Sequence, residues 1–209
     1  MAAPNNNFLT LVFFLVVTYI FASIPYGFIL VKTIKHEDIR KFGSGNIGAT
    51  NVARCLGLGW GIFTFLLDFL KGFIPVYWIS VWSEGFESQV SSYLPLLTAL
   101  LCIVAHNHSI FIRFKGGKGV STSIGVITAL SIANSVLRLP LFLAIGMWIA
   151  VFLIFRIVAI ASLTAALLFF LSCVFLHLKG EFILLSFLIF AFIVFRHRSN
   201  IEKLRRKNV

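Results

Sequence analysis

Residues 8–31 read FLTLVFFLVVTYIFASIPYGFILV, 24 consecutive residues without a charged side chain. A hydrocarbon core of ~30 Å needs about 20 apolar residues at ~1.5 Å rise each, so this run is long enough to cross it. The residues before it, Met1-Ala2-Ala3-Pro4-Asn5-Asn6-Asn7, hold no Lys or Arg. The positive n-region of a cleaved signal is therefore missing, and the run is expected to be a retained first span.

Six further apolar runs follow: Leu56–Trp82, Leu94–Ile112, Val120–Leu137, Leu139–Phe155, Ile157–Leu178 and Phe182–Phe195. The last is the shortest, and snorkelling of Glu181 and Arg196 would be needed to carry it across. The fold class expected is an all-α integral membrane protein, a bundle of seven transmembrane helices. Five spans with two re-entrant or interfacial segments are the alternative. Composition agrees with either. Of 209 residues, 59% are hydrophobic, 12% are charged and 24 are Phe, and the mean hydropathy is +0.99. A soluble fold of this length lacks the interior to hide so much apolar surface, and a disordered chain would be poor in it.

The net charge is +11, from 18 Lys and Arg against 7 Asp and Glu. In a soluble protein that excess suggests nucleic acid; in a membrane protein it orients the chain, and no nucleic-acid partner is expected. With seven spans, fifteen cations fall on one side, in 32–54, 113–118, Arg156 and the tail after Phe195. Only Arg138 and Lys179 fall on the other, and Lys71 lies within the second span. The basic side is expected to be cytoplasmic, with the N-terminus outside, the C-terminus inside, and residues 1–209 forming one polytopic membrane domain. Cys55, Cys102 and Cys173 have no metal-binding spacing, and their odd number argues against a disulfide framework.

Three polar segments share the basic side. Residues 43–54, GSGNIGATNVAR, place three glycines within six residues, so backbone amides can turn inward around an anion. Ser44, Asn46, Thr50 and Asn51 add neutral hydrogen-bonding groups, and Arg54 adds a fork suited to phosphate. The plain alternative is a loop ending in a Thr50 or Asn51 helix cap. Residues 115–122, KGGKGVST, fail as a nucleotide P-loop, because Gly119 follows Lys118 where that motif needs Ser or Thr. Flexible amides beside a lysine at a helix N-terminus nevertheless favour phosphate; a basic interfacial turn is the alternative. Residues 195–201, FRHRSNI, put His197 and Asn200 on one helix face, with Arg196 and Arg198 read as positive-inside anchors. His197 and Glu202 also reproduce the offset of the His-x4-Asp signature found in one class of acyltransferases, with Glu for Asp.

Within the spans, Asp68 and Lys71 are spaced to pair, and His106 and His108 lie towards the basic end of the third span. His177 is expected at the opposite interface. No cluster of acids, His or Cys has metal-ligand spacing, and no metal or other cofactor is expected. Cations and glycine loops opening onto a Phe-rich body suit an anionic head with a long acyl tail, and suit two phosphates better than metal-assisted phosphoryl transfer.

The chain resembles the bacterial membrane-integral glycerol-3-phosphate acyltransferases that use acyl phosphate as donor. The resemblance runs from Ser23-Ile24-Pro25-Tyr26-Gly27 through the 43–52 stretch to Arg54. It continues with Leu67-Asp68, Lys71-Gly72, His106, the 114–120 segment and the 196–201 segment. It implies attack of the 1-hydroxyl of sn-glycerol 3-phosphate on the acyl-phosphate carbonyl, giving lysophosphatidate and inorganic phosphate, the first acylation of phospholipid biosynthesis. The implied location is the bacterial cytoplasmic (inner) membrane; the implied partners are the two substrates and membrane lipid. Ser44, Arg54, His197 and Asn200 are carried over as catalytic residues. His106, Gly116, Gly117, Lys118 and Gly119 are carried over to substrate binding, the three glycines to acyl phosphate, and Asn46 and Thr50 join them through their hydrogen-bonding groups. Either His197 or a basic oxygen of the donor takes the hydroxyl proton. Family members often continue to a glycine and a glutamate that Leu204–Val209 do not supply. A small anion transporter and a lipid-binding structural protein are the competing classes. The first should carry its groups at the bilayer midplane, and the second has no use for three anion sites.

Overall fold

The computed structural model of the chain describes residues 6–83 and 88–207. Met1–Asn5, which belong to the signal-peptide reading, and Asn208-Val209, which belong to the comparison of the C-terminus, lie outside the described residues. Among the described residues every regular element is helical. The helices are α1 (Asn6–Ser23), α2 (Tyr26–Lys35), α3 (Ala49–Leu56), α4 (Leu58–Trp82), α5 (Ser88–Asn107), α6 (Val120–Ala133), α7 (Arg138–Phe155), α8 (Val158–Phe175) and α9 (Gly180–Lys207). Five are long and apolar enough to cross a membrane, and the α1–α2 pair, bent by 43°, makes a sixth if the pair counts as one broken span. The remaining apolar helix, α6, has 14 residues. Each of the seven apolar runs thus has a helix or a bent pair. Phe13, Trp78, Phe142, Ile154 and Phe175 are exposed on the outside of the bundle, where lipid is the solvent that accepts them.

Three boundaries differ from the expectation. The second run does not begin its span at Leu56: the chain turns at Gly57, with φ of 97°, and α3 folds back on α4. A Cβ on Gly61 would stand 2.5 Å from that of Ala53. The last run is not the short one, because α9 continues through the charged segment for 28 residues. The short one is the fourth run, whose helix is α6.

The bend in the first span follows from Pro25, which cannot donate to the helical ladder. The break leaves carbonyls in a region where water is scarce, and every such group needs a partner. Lys71 Nζ donates to Ile24 O at 2.8 Å, and Ser109 Oγ donates to Ser23 O at 2.5 Å. Lys71 is also 2.8 Å from Asp68 in a buried ion pair on α4. The pairing expected from their spacing thus has a structural use, since it ties α4 to the break between α1 and α2. Helices α4 and α6 pack closely along a glycine-bearing seam. A Cβ on Gly72 would stand 2.6 Å from Thr122 O, and one on Gly125 would overlap Phe69 O. Thr122 Oγ1 donates across the same seam to Asp68 O at 3.0 Å.

Candidate active site

The 43–54 segment is organised from behind by Asn51. The α3 N-cap is Gly48, without a side-chain cap bond, so neither Thr50 nor Asn51 caps the helix. Asn51 is buried instead and reaches back into the loop. Its Nδ2 donates to Asn46 O at 2.8 Å, Phe42 O at 3.0 Å and Ile39 O at 3.3 Å. Its Oδ1 accepts from Ser44 N at 3.2 Å. Asn46 Oδ1 accepts from Gly48 N at 2.9 Å. Gly43 and Gly45 stand at φ 52° and 70°, where a Cβ is unfavourable. The outcome is a compact loop with Ser44, Thr50 and Arg54 exposed.

The 115–119 segment is glycine-rich for a reason other than the one expected. Gly116 N donates to Asn107 O at 3.1 Å and Gly117 N to His106 O at 3.2 Å. Both amides are thus spent on the C-terminal carbonyls of α5 and do not form an open nest. A Cβ on Gly116 would overlap His106 O, and one on Gly117 would overlap the His106 imidazole. These two glycines permit close packing on α5. The anion-binding capacity shifts one step along, to Lys118 and the first turn of α6, entered through Gly119 at φ 79°. The helix N-terminus presents amides that have no intrahelical acceptor.

The third segment lies on α9. Lys118 Nζ donates to Asn200 Oδ1. His197 is buried, with Nδ1 at 2.8 Å from Ile193 O. A carbonyl only accepts, so Nδ1 carries the proton and Nε2 of the neutral ring keeps its lone pair. Arg196 Nη2 donates to Gly116 O at 2.7 Å and its Nε to Gly117 O at 3.0 Å. It is therefore more than an interfacial anchor. Beneath the glycine segment, His106 Nδ1 lies 3.6 Å from Asp68 Oδ1, which connects the loop to the buried pair on α4.

Two cavities of about 1010 Å³ each meet at this place. One is polar, with Arg40, Arg113, Lys115, Arg196 and Arg198 in its wall. Its one acid, Asp38, is held by Arg40 at 2.6 Å, and the hydrogen bond from Arg40 lowers its pKa to about 2. The other has an apolar body between α4, α6, α7, α8 and α9, with Ile124, Leu141, Trp148 and Phe169 among its lining. Its polar end carries Thr50, Arg54, His106, Gly119 and His197. Ser44, Asn46, Lys118 and Asn200 stand in both walls. Nine of the eleven candidate residues thus line the apolar-bodied cavity; Gly116 lines the polar one alone, and Gly117, packed on His106, lines neither.

Sequence reasoning treated Arg156 only as a loop cation, whereas it stands at the α7–α8 turn in the wall of the apolar-bodied cavity. The offset between His197 and Glu202 does not yield a visible pair: Glu202 is exposed, and the imidazole bonds to Ile193 O. Among the described residues no group of three or more His, Cys, Asp or Glu side chains is gathered to hold a metal ion.

A family model described as glycerol-3-phosphate acyltransferase matches residues 12–207. The glycerol-3-phosphate acyltransferase of Aquifex aeolicus is 40% identical over 195 residues, covering 92% of this chain and 94% of that protein. That of Endomicrobium trichonymphae is 37% identical, covering 92% and 91%. The crystal structure of PlsY (YgiH), an integral membrane glycerol 3-phosphate acyltransferase, in its glycerol 3-phosphate form superposes with a TM-score of 0.82 at 37% identity, covering 95% of this chain and 93% of that one. The lysophosphatidic acid form gives 0.79 at 35% identity, with the same coverage.

Proposed function

This chain belongs to the glycerol-3-phosphate acyltransferase family, and from that premise we propose that it acylates the 1-hydroxyl of sn-glycerol 3-phosphate with acyl phosphate as donor. The observation that carries the reading is the apolar-bodied cavity. Its polar end holds Arg54, Lys118, His197 and Asn200, while its body suits an acyl chain. The acceptor hydroxyl oxygen attacks the acyl carbonyl carbon, and the bond from that carbon to the phosphate oxygen breaks. The phosphate leaves with the electron pair, and the products are lysophosphatidate and inorganic phosphate. Charge dictates the division of labour, because two phosphorylated substrates repel each other unless fixed cations stand between them. Arg54 holds the acceptor phosphate through its planar fork, with Ser44, Asn46 and Thr50 orienting the glycerol. Lys118, steadied by Asn200, and the first turn of α6 hold the donor phosphate and stabilise it as it leaves. His106 supports Gly117 from below. The hydroxyl proton passes to His197 Nε2 or to a donor oxygen, and His197→Gln separates the two. Strong loss with a flattened pH profile assigns it to the imidazole.

The whole chain acts as one polytopic domain in the bacterial inner membrane, with the C-terminus and all three loops cytoplasmic. The concentration of cations on that face supports this orientation. Purified protein in lipid, given acyl phosphate and glycerol 3-phosphate, is expected to release phosphate and form lysophosphatidate. Acyl-CoA or acyl carrier protein thioester in place of acyl phosphate should give no product. Product from a thioester alone would refute the donor assignment, and no product from any donor would refute the enzyme.

A further inference from the structure

We propose that Arg196 is a positioning residue of the donor site, acting through Lys118. The proposal rests on the acyl-transfer reading above. Residues 116–117 are gripped on two edges. Their amides donate to α5 carbonyls, and their carbonyls accept the two arms of one guanidinium. The α5 edge has no slack, because both glycines already lie where a Cβ would overlap His106. The position of the segment along the remaining direction is therefore set by Arg196. The next residue is Lys118, whose ammonium is tied to Asn200, and the residue after the following glycine begins α6.

Arg196 and Asn200 are four apart on α9 and share a face. One helix face thus takes hold of the segment twice, by its backbone through Arg196 and by its lysine through Asn200. His197, between them in sequence, lines the apolar-bodied cavity. The register between His197 and the Lys118 ammonium is consequently a property of α9 held against the 116–117 carbonyls. A fork is required for this. Two successive carbonyls accept from two different nitrogens of one rigid plane, which a single ammonium on a flexible stem does not reproduce.

The test uses full-length protein in lipid. Arg196→Lys keeps the charge and removes the fork. Its kcat should fall about 10- to 100-fold, the range for losing one or two charge-assisted hydrogen bonds. KM for glycerol 3-phosphate should stay within about twofold, because Arg54 is untouched. Arg196→Lys combined with Lys118→Met should be no worse than Lys118→Met alone, since the first acts through the second. Arg196→Gln, neutral but able to donate, tests the same point if the lysine protein does not accumulate, and it should also be non-additive with Lys118→Met. Wild-type kinetics in the Arg196→Lys protein, or losses that multiply in the double variant, would overturn the proposal. A wild-type protein that makes no lysophosphatidate would instead overturn the acyl-transfer reading on which it stands.

Discussion

Replacing Asn51 by leucine tests the architecture of the first loop, because the two side chains are similar in size and leucine makes no hydrogen bonds. The change removes the donor to Asn46 O and Phe42 O, the longer contact to Ile39 O and the acceptor of Ser44 N. Leaving a buried polar group without a partner costs about 1–3 kcal/mol, and the loop is open enough to water to place each near the lower figure. Counting the three shorter bonds, to Asn46 O, to Phe42 O and from Ser44 N, gives about 3 kcal/mol, or about a hundredfold in the equilibrium between the formed and the unformed loop. The loop packs on a small apolar cluster of its own, Val31, Ile39, Ile47, Val52 and Ile112. The bundle core should therefore be little affected. Expected is a fall of about a hundredfold in kcat/KM for glycerol 3-phosphate, with a thermal midpoint lowered by only a few degrees. Asn51→Asp keeps the acceptor for Ser44 N but turns a carboxylate on the same carbonyls, and should be worse than leucine. An Asn51→Leu protein retaining more than a third of wild-type kcat/KM, or an Asn51→Asp protein better than Asn51→Leu, would refute the reasoning.

Arg54→Lys keeps the charge but loses the planar fork, and should reduce activity about 10- to 100-fold; unchanged kinetics for glycerol 3-phosphate would make Arg54 a headgroup anchor. Gly117→Ala forces its Cβ into the His106 imidazole. It should raise KM for acyl phosphate more than KM for glycerol 3-phosphate, and equal effects on both would count against the donor assignment. Shrinking His106 in a Gly117→Ala/His106→Ala protein should recover part of the loss if packing is the cause; a double variant no better than Gly117→Ala would reject that cause. Thorough chelation should leave full activity, and loss restored by Mg²⁺ would show that a metal takes part.

The long apolar runs were legible as spans because hydropathy reports the solvent that a segment meets. It does not report where a helix stops. The charges after Phe195 end the apolar run without ending α9, since the backbone continues its own hydrogen bonds into water. Conversely, the apolar run from Val120 outlasts α6, whose C-cap Asn134 turns to an extended φ of −128°. The glycines at 116 and 117 stood out in the sequence, but their reason did not. Their partners are carbonyls at 106 and 107 that a fold-back of the chain brings beside them. Asn51 looked like a local cap, whereas its bonds run to residues 5 to 12 positions earlier. Arg196 looked like any cation at a membrane boundary, because the carbonyls it holds lie about 80 residues away in the chain.

The shortness of α6 bears on how the chain is assembled. Fourteen residues at ~1.5 Å rise span about 21 Å, well under the ~30 Å of hydrocarbon. A helix of that length would leave unmet backbone groups at its ends if inserted alone. In the folded bundle its first turn opens onto the polar end of a cavity, and its flank lies against α4 through Gly72 and Gly125. Its residence in the bilayer is thus conferred by a neighbour rather than by its own hydropathy. Biogenesis should accordingly run in two stages, with α4 inserting on its own and α6 settling only once that helix offers a seat.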